Sequence, residues 1–68
     1  MTRLLTDHDR LVLGLFANGL KTHEVAERLG VSYQTIANEL RTIYTKLGAR
    51  NRVEAFLIMG WLKPPFDI

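Results

Sequence analysis

The sequence predicts an all-α domain built from four helices, and three observations lead to this prediction. Apolar residues recur at helical spacing in four segments of the chain. Residues that cap helix N-termini precede these segments, and Gly follows three of them. With 68 residues the chain is expected to form one domain over residues 1–68, without room for a second core.

The first helix is expected at about residues 7–18. Thr6 is followed three residues later by Asp9, so the hydroxyl and the carboxylate can satisfy the first free backbone amides. Asn18-Gly19 then supplies the left-handed residue that ends a helix. The apolar positions that follow helical spacing here are Val12, Leu13, Phe16 and, just beyond the helix, Leu20.

The second helix is expected at about residues 22–30, with Thr22 as its N-cap and Gly30 as its C-terminal stop. Its apolar face consists of Val25, Ala26 and Leu29. Only a short Gly-Val-Ser turn separates it from the next helical pattern. Residues 22–48 are therefore expected to form a helix-turn-helix unit.

The third helix is expected at about residues 33–47, between a Ser32 cap and Gly48. A continuous buried stripe is predicted by apolar residues at i, i+4, i+7 and i+11, namely Ile36, Leu40, Ile43 and Leu47. The opposite face, beside the small Ala37, reads Gln34, Asn38, Arg41 and Thr45. A polar helix face presented outward by so small a chain is typical of a helix that enters a DNA groove.

The fourth helix is expected at about residues 52–61, with Asn51 and Glu54 at capping spacing. Apolar residues surround this helix, and they are Val53, Ala55, Phe56, Leu57, Ile58, Met59, Trp61 and Leu62. A small three-helix core covers one side only, so a second apolar partner is expected. Lys63-Pro64-Pro65 should end the helix and leave residues 63–68 as a short C-terminal tail.

Composition excludes several classes of function. The chain has no Cys, which excludes disulfides, thiolate chemistry and Cys-containing metal sites. His8 and His23 lie on different predicted helices without a second ligand, and no catalytic set can be combined, so we expect no metal, no cofactor and no enzyme activity. Without a membrane span or a signal peptide pattern, the chain is expected in the cytoplasm and away from membranes.

Positive charge is concentrated in one part of the chain, whose formal net charge is +2. Residues 32–52 hold four Lys or Arg against one Glu, whereas residues 1–31 hold four of each sign. A phosphate-facing surface requires such an excess, and an ordinary solvated face also produces it. The charge pattern alone therefore leaves both interpretations open.

Capping, core and turn positions together resemble the LuxR/GerE-type helix-turn-helix domain over residues 5–60. The stretches that carry the resemblance include Glu24-Val25-Ala26-Glu27-Arg28-Leu29-Gly30-Val31-Ser32, Thr35-Ile36, Lys46-Leu47-Gly48 and Arg52-x-Glu54-Ala55. Sigma-factor region 4 shares the three-helix pattern, but the last stretch, followed by an apolar helix, fits the LuxR/GerE type better. Because the chain opens directly on this unit, it is similar to the standalone members of the family.

The resemblance implies a transcriptional regulator that binds double-stranded DNA in a sequence-specific manner. In that family the third helix enters the major groove and the fourth forms a two-fold homodimer contact. The base-facing positions of the family fall on Ala37, Asn38 and Arg41, and Gln34, which shares their face, is also expected to read bases. Asn can pair with adenine N6 and N7, and Arg can pair with guanine O6 and N7.

Contacts with the DNA backbone and with a second subunit are also expected. The resemblance places Ser32, Thr35 and Lys46 near phosphates, where hydroxyls, an ammonium and helix-terminal amides fix the register. We add Thr22, Thr45 and Arg50 to this phosphate set. The homodimer contact is expected from Phe56, Leu57, Met59 and Trp61.

Two residues depart from those common in the family. Ala37 stands where Lys is common and Glu39 where His is common, which should weaken attraction to phosphates. Glu39 lies at the edge of the buried stripe, so contact with cytosine N4 and an intramolecular partner both remain open. A second hypothesis is therefore a protein-binding module that contacts another regulator or RNA polymerase through its apolar fourth helix or its less basic reading face.

Overall fold

All four predicted helices are present in the computed structural model, which describes residues 5–62. They are α1 (Asp7–Ala17), α2 (Thr22–Leu29), α3 (Tyr33–Leu47) and α4 (Arg52–Met59). Residues 5–62 contain no strand, which confirms the all-α class. No helix within that range is long and apolar enough to cross a membrane. The predicted tail, residues 63–68, lies outside the described residues.

The start of α1 is fixed by the predicted capping pair. The Thr6 hydroxyl accepts a hydrogen bond from the Asp9 amide at 3.0 Å, and the Asp9 carboxylate accepts one from the Thr6 amide at 3.0 Å. Two backbone amides that the helix itself cannot pair are satisfied in this way. Asn18 caps the other end of α1, and Gly19 follows with a φ of 89°.

The predicted N-cap of α2 is wrong by one residue. Thr22 is the first residue of the helix, and Lys21 occupies the cap position with an extended backbone. A Lys ammonium cannot accept a hydrogen bond from a backbone amide, so this cap lacks the usual hydroxyl contribution. Glu24 supplies the other contribution, because its carboxylate accepts a hydrogen bond from the Lys21 amide at 2.7 Å. At the other end, Gly30 caps the helix after Leu29 in the left-handed conformation.

The predicted end of α4 is also wrong, since the helix stops at Met59 and Gly60 ends it instead of the prolines. Gly60 has a φ of 78°, and the amide of Trp61 donates to the carbonyl of Phe56 at 3.0 Å. This is the hydrogen-bond pattern with which a left-handed Gly closes a helix. Trp61 therefore follows α4, with its ring centroid 6.2 Å from that of Phe56.

The core of the domain forms around α3, which packs against each of the other three helices. The buried apolar residues are Leu5, Val12, Leu13, Phe16, Val25, Ala26, Ile36, Ile43, Leu47 and Ala55. Three of the four residues in the predicted α3 stripe are among them, and Leu40 packs against this core while partly exposed. Since one side of α3 is committed to the core, its opposite side is left for solvent.

Candidate nucleic-acid interface

The solvent side of α3 carries the polar side chains that the sequence predicts there. We define the outer face of α3 as five residues, four exposed and one partly buried, and they are Gln34, Asn38, Arg41, Thr45 and Ala37. At about 100° per residue, the exposed four lie opposite the buried stripe. Amide, guanidinium and hydroxyl groups thus follow one another along the helix, and these groups are able to contact base edges.

Two amides on this face are bonded to each other. Nε2 of Gln34 donates to Oδ1 of Asn38 at 3.0 Å, across one turn of the helix. Both side chains are exposed, so their remaining donors and acceptors face solvent. The Asn38 side chain is therefore oriented by a neighbour before any ligand is present.

Arg41 is the only charged residue of the outer face. Its side chain is exposed, and within residues 5–62 it forms no ion pair with a carboxylate. The Thr45 hydroxyl donates to the Arg41 carbonyl at 3.1 Å, so that hydroxyl retains only its acceptor capacity. The guanidinium of Arg41 is consequently available to an external acceptor.

The predicted phosphate contacts at the start of α2 and α3 are hydroxyl residues that differ in their exposure to solvent. Ser32 caps α3, accepting from the Thr35 amide at 3.1 Å, and its hydroxyl lies 2.9 Å from that of Thr35. Ser32 is exposed, whereas Thr35 is partly buried. Thr22, the first residue of α2, is also partly buried. The two hydroxyls at the start of α3 therefore lie together beside free helix amides.

Lys46, another predicted phosphate residue, is engaged inside the domain. Its Nζ donates to Oδ2 of Asp9 at 2.7 Å, with the Lys46 side chain 32% exposed and the Asp9 side chain 12% exposed. Burial disfavours the charged carboxylate and raises the pKa of Asp9, but hydrogen bonds from Lys46 and Thr6 outweigh that effect. The net result is that the pKa of Asp9 is lowered.

Arg50, the remaining cation of the predicted phosphate set, is paired as well. Two of its guanidinium nitrogens lie 3.2 and 3.1 Å from Oε2 of Glu54, and its amide donates to Oε1 at 2.7 Å. The amide hydrogen bond is the largest of the effects that lower the pKa of Glu54. Glu54 thus bonds to Arg50, while its own amide donates to the cap residue Asn51 at 2.9 Å.

The excess of positive charge counted along residues 32–52 is therefore larger than the excess found in space around α3. Two of the acidic partners, Asp9 and Glu54, come from segments outside residues 32–52. Arg52 lies over the ring of the buried Phe16, with 4.7 Å from Cζ to the ring centroid. Of the four cations in that segment, Arg41 is the one that forms neither an ion pair nor a contact with an aromatic ring within the described residues.

Glu39 has the intramolecular partner that was one of its two predicted alternatives. Nε2 of His8 lies 2.8 Å from its Oε1, which connects the start of α1 with the flank of α3. Sequence reasoning did not find this pair or the one between Lys46 and Asp9, because the partners are 31 and 37 residues apart. Within residues 5–62 no group of His, Asp or Glu is arranged to hold a metal ion.

The predicted dimer residues of α4 divide into two groups. Phe56 and Met59 pack against the domain's own core, whereas Leu57 is partly exposed and Trp61 is 45% exposed. Val53, which the prediction did not include, is 55% exposed. Its distance of four residues from Leu57 was the signal available in the sequence, since residues at i and i+4 share a helix face. We define the α4 stripe as Val53, Leu57 and Trp61.

The chain is similar to known bacterial regulatory proteins. Residues 3–59 match the family model GerE, which describes bacterial regulatory proteins of the luxR family. The chain is 46% identical over 54 residues to the transcriptional regulatory protein YdfI of Bacillus subtilis, covering 79% of this chain and 25% of that protein. It is 39% identical over 62 residues to the transcriptional regulatory protein DesR of the same species, covering 87% and 31% respectively.

A third relative is the DNA-binding transcriptional activator DevR/DosR of Mycobacterium tuberculosis. It is 35% identical over 66 residues, covering 93% of this chain and 30% of the relative. The chain therefore spans about a quarter to a third of the length of these relatives. The match identifies a regulatory domain and not an enzyme. The chain belongs to the LuxR family of bacterial regulatory proteins.

Proposed function

We propose that this domain binds double-stranded DNA in a sequence-specific manner by inserting α3 into the major groove. The observation that carries the proposal is the outer face of α3, which has four exposed polar residues and includes the guanidinium of Arg41, unpaired within residues 5–62. The name of the relative DevR/DosR, a DNA-binding transcriptional activator, supports it. In this proposal the domain acts in transcription regulation, in the cytoplasm and without a cofactor.

Backbone contacts fix the register of α3 in this proposal. Ser32 and Thr35 offer hydroxyls at the helix start, where the unpaired amides also favour an anion. Lys46 has three donors and uses one of them on Asp9, so two remain for a phosphate. The Asp9 carboxylate then holds the Lys46 ammonium in place, while its negative charge reduces the attraction of that ammonium to the phosphate. Thr22 and Arg50 complete the proposed phosphate contacts, and Thr45 joins them only when its hydroxyl turns from the Arg41 carbonyl to donate to a phosphate oxygen.

The base-reading role is tested by removing the guanidinium of Arg41. Duplexes selected from a random pool are titrated by fluorescence anisotropy with the native domain and with Arg41→Ala. We expect the variant to lose preference at one base pair per half-site, about 1 to 3 kcal/mol of discrimination. Arg28→Ala, which removes an exposed cation from α2, is the matched control and should leave base preference unchanged. Unaltered preference in Arg41→Ala would contradict the role assigned to it.

We further propose that the domain acts as a homodimer through α4. The α4 stripe exposes apolar surface that nothing covers within residues 5–62, and a two-fold copy would bury it. Such a pair would present two α3 helices to two half-sites. Sedimentation of Val53→Glu should show monomers at concentrations where the native domain dimerises. Leu11→Glu, at a 50% exposed apolar position on α1, is the matched control and should not alter the oligomeric state.

A protein-binding module is the second candidate function, and the same α4 stripe favours it. In this alternative the stripe contacts another regulator or RNA polymerase, and the outer face of α3 has no DNA ligand. The two candidates differ at low salt, where an intact reading face retains attraction even to nonspecific duplex. A folded domain that shows no such binding would favour the protein-binding role.

A further inference from the structure

We propose that Gln34 is a positioning residue that sets the base preference of Asn38 by holding its amide in one of its two possible orientations. The proposal rests on the proposed DNA-binding function, and it assigns Gln34 an action through Asn38 instead of a base contact of its own. The carrying observation is the hydrogen bond of 3.0 Å from Nε2 of Gln34 to Oδ1 of Asn38.

The amide of an Asn side chain has a donor end and an acceptor end, and rotation by 180° exchanges them. The NH2 group of Gln34 can donate to Asn38 only when Oδ1, and not the NH2 group of Asn38, is turned toward Gln34 and the start of α3. The NH2 group of Asn38 then faces away from the Gln34 amide. The order of acceptor and donor along the outer face is thereby fixed before a duplex arrives.

Adenine remains a suitable ligand for this oriented amide. Oδ1 has two lone pairs, of which Gln34 uses one, and neither hydrogen of the NH2 group is bonded within residues 5–62. The second lone pair and one hydrogen can therefore pair with adenine N6 and N7. Because the order of the two groups is fixed, adenine on one strand fits and adenine on the opposite strand presents the reversed order. The proposed ligand is thus an A·T pair in one orientation.

The other predicted base-facing residues of the outer face, Ala37 and Arg41, have no comparable side-chain hydrogen bond within residues 5–62. Ala37 has no polar group, and no hydrogen bond or ion pair within residues 5–62 holds the guanidinium of Arg41. Arg41 therefore loses side-chain freedom when it binds, whereas Asn38 has already lost part of it. This difference predicts that substitution of Gln34 affects one base position and leaves the position read by Arg41 unchanged.

The test compares base preferences selected from a random duplex pool by native protein, Gln34→Ala, Gln34→Glu, Asn38→Ala and the double variant Gln34→Ala/Asn38→Ala. Gln34→Ala should reduce strand discrimination at the Asn38 position by about 1.5- to twofold, the scale of one helical side-chain pair. Gln34→Glu accepts from the Asn38 NH2 group, which turns the amide over and should move the preference to adenine on the other strand. Asn38→Ala should abolish the preference for adenine at this position on either strand, a loss of about tenfold in discrimination.

Two controls separate this inference from the proposed function. Tyr33→Ala, at an exposed neighbouring position, should leave the Asn38 position unchanged. In the free protein, the side-chain NH2 resonances of Asn38 should shift in Gln34→Ala and not in Tyr33→Ala. If native protein selects no sequence, the proposed function fails and the inference fails with it. If it selects a site but the single effects add in the double variant, or the resonances do not shift, DNA binding stands and the inference is overturned.

Discussion

Lys46 near the end of α3 and Asp9 near the start of α1 form an ion pair of 2.7 Å across 37 residues of sequence. The same carboxylate oxygen accepts the amide of Thr6 and so caps α1. One oxygen of Asp9 therefore both caps α1 and attaches it to α3. Asp9 is the one buried charged residue among those described, and no buried side-chain polar atom in that range lacks a partner.

Replacing Asp9 with Ala should lower the free energy of unfolding by about 2 kcal/mol. The change removes a helix cap and leaves the partly buried ammonium of Lys46 without its acceptor. Urea denaturation followed by circular dichroism measures the loss. Asp7→Ala is the matched control, because Asp7 lies in the same helical turn but is fully exposed, and it should cost little. Equal losses in both variants would show that the ion pair contributes nothing specific.

Stability should fall in acid because the pKa of Asp9 is lowered in the folded state. A carboxyl with a lowered folded-state pKa contributes stability that is present above its unfolded-state pKa, about 4, and is lost as the pH falls through the folded value. Urea midpoints measured from pH 6 to pH 2 should decline less steeply for Asp9→Asn than for the native domain. Glu54, whose pKa is also lowered, sustains the remaining slope in both proteins. Parallel curves would contradict the assignment to Asp9.

Two Gly→Ala substitutions should change stability in opposite directions. Gly14 lies inside α1 and Gly30 caps α2 with a φ of 71°. Apart from adjacent residues and the backbone of its own helix, a Cβ at either position would have no atom of residues 5–62 within 4 Å. Gly14→Ala should add about 0.5 to 1 kcal/mol, because Ala loses less backbone freedom in a helix. Gly30→Ala should cost about 1 to 2 kcal/mol, because the left-handed conformation is strained for Ala. Thermal unfolding measures the stability change of each variant. Changes in the same direction for Gly14→Ala and Gly30→Ala would refute the explanation from backbone conformation.

Lys46→Met should reduce the salt dependence of DNA binding while preserving base preference. The substitution removes the ammonium, a proposed phosphate contact, and keeps a flexible apolar side chain of similar length. The slope of log K against log salt should fall by about one unit for one lost phosphate contact. Anisotropy titrations from low to moderate salt give that slope, with circular dichroism as the control for folding. An unchanged slope would show that the bond to Asp9 fully occupies this ammonium.

Local patterns were enough to predict the fold. The Thr6–Asp9 cap, the Ser32 cap and Gly48 all act between residues at most four positions apart, so their spacing is visible in the sequence. The boundaries of α3 were accordingly correct. The errors at Lys21 and Gly60 arose where a second residue could also end or begin the helix, and propensity alone did not decide between them.

The polar outer face of α3 also followed from periodicity, because a continuous apolar stripe of four residues determines which side is buried. The sequence by itself thus determined the four helices, their core and the identity of the exposed polar row. Only the tertiary structure decided which charges remain free. Asp9 and His8 reach α3 from α1, and Coulomb attraction depends on distances in space that the order of residues along the chain does not report.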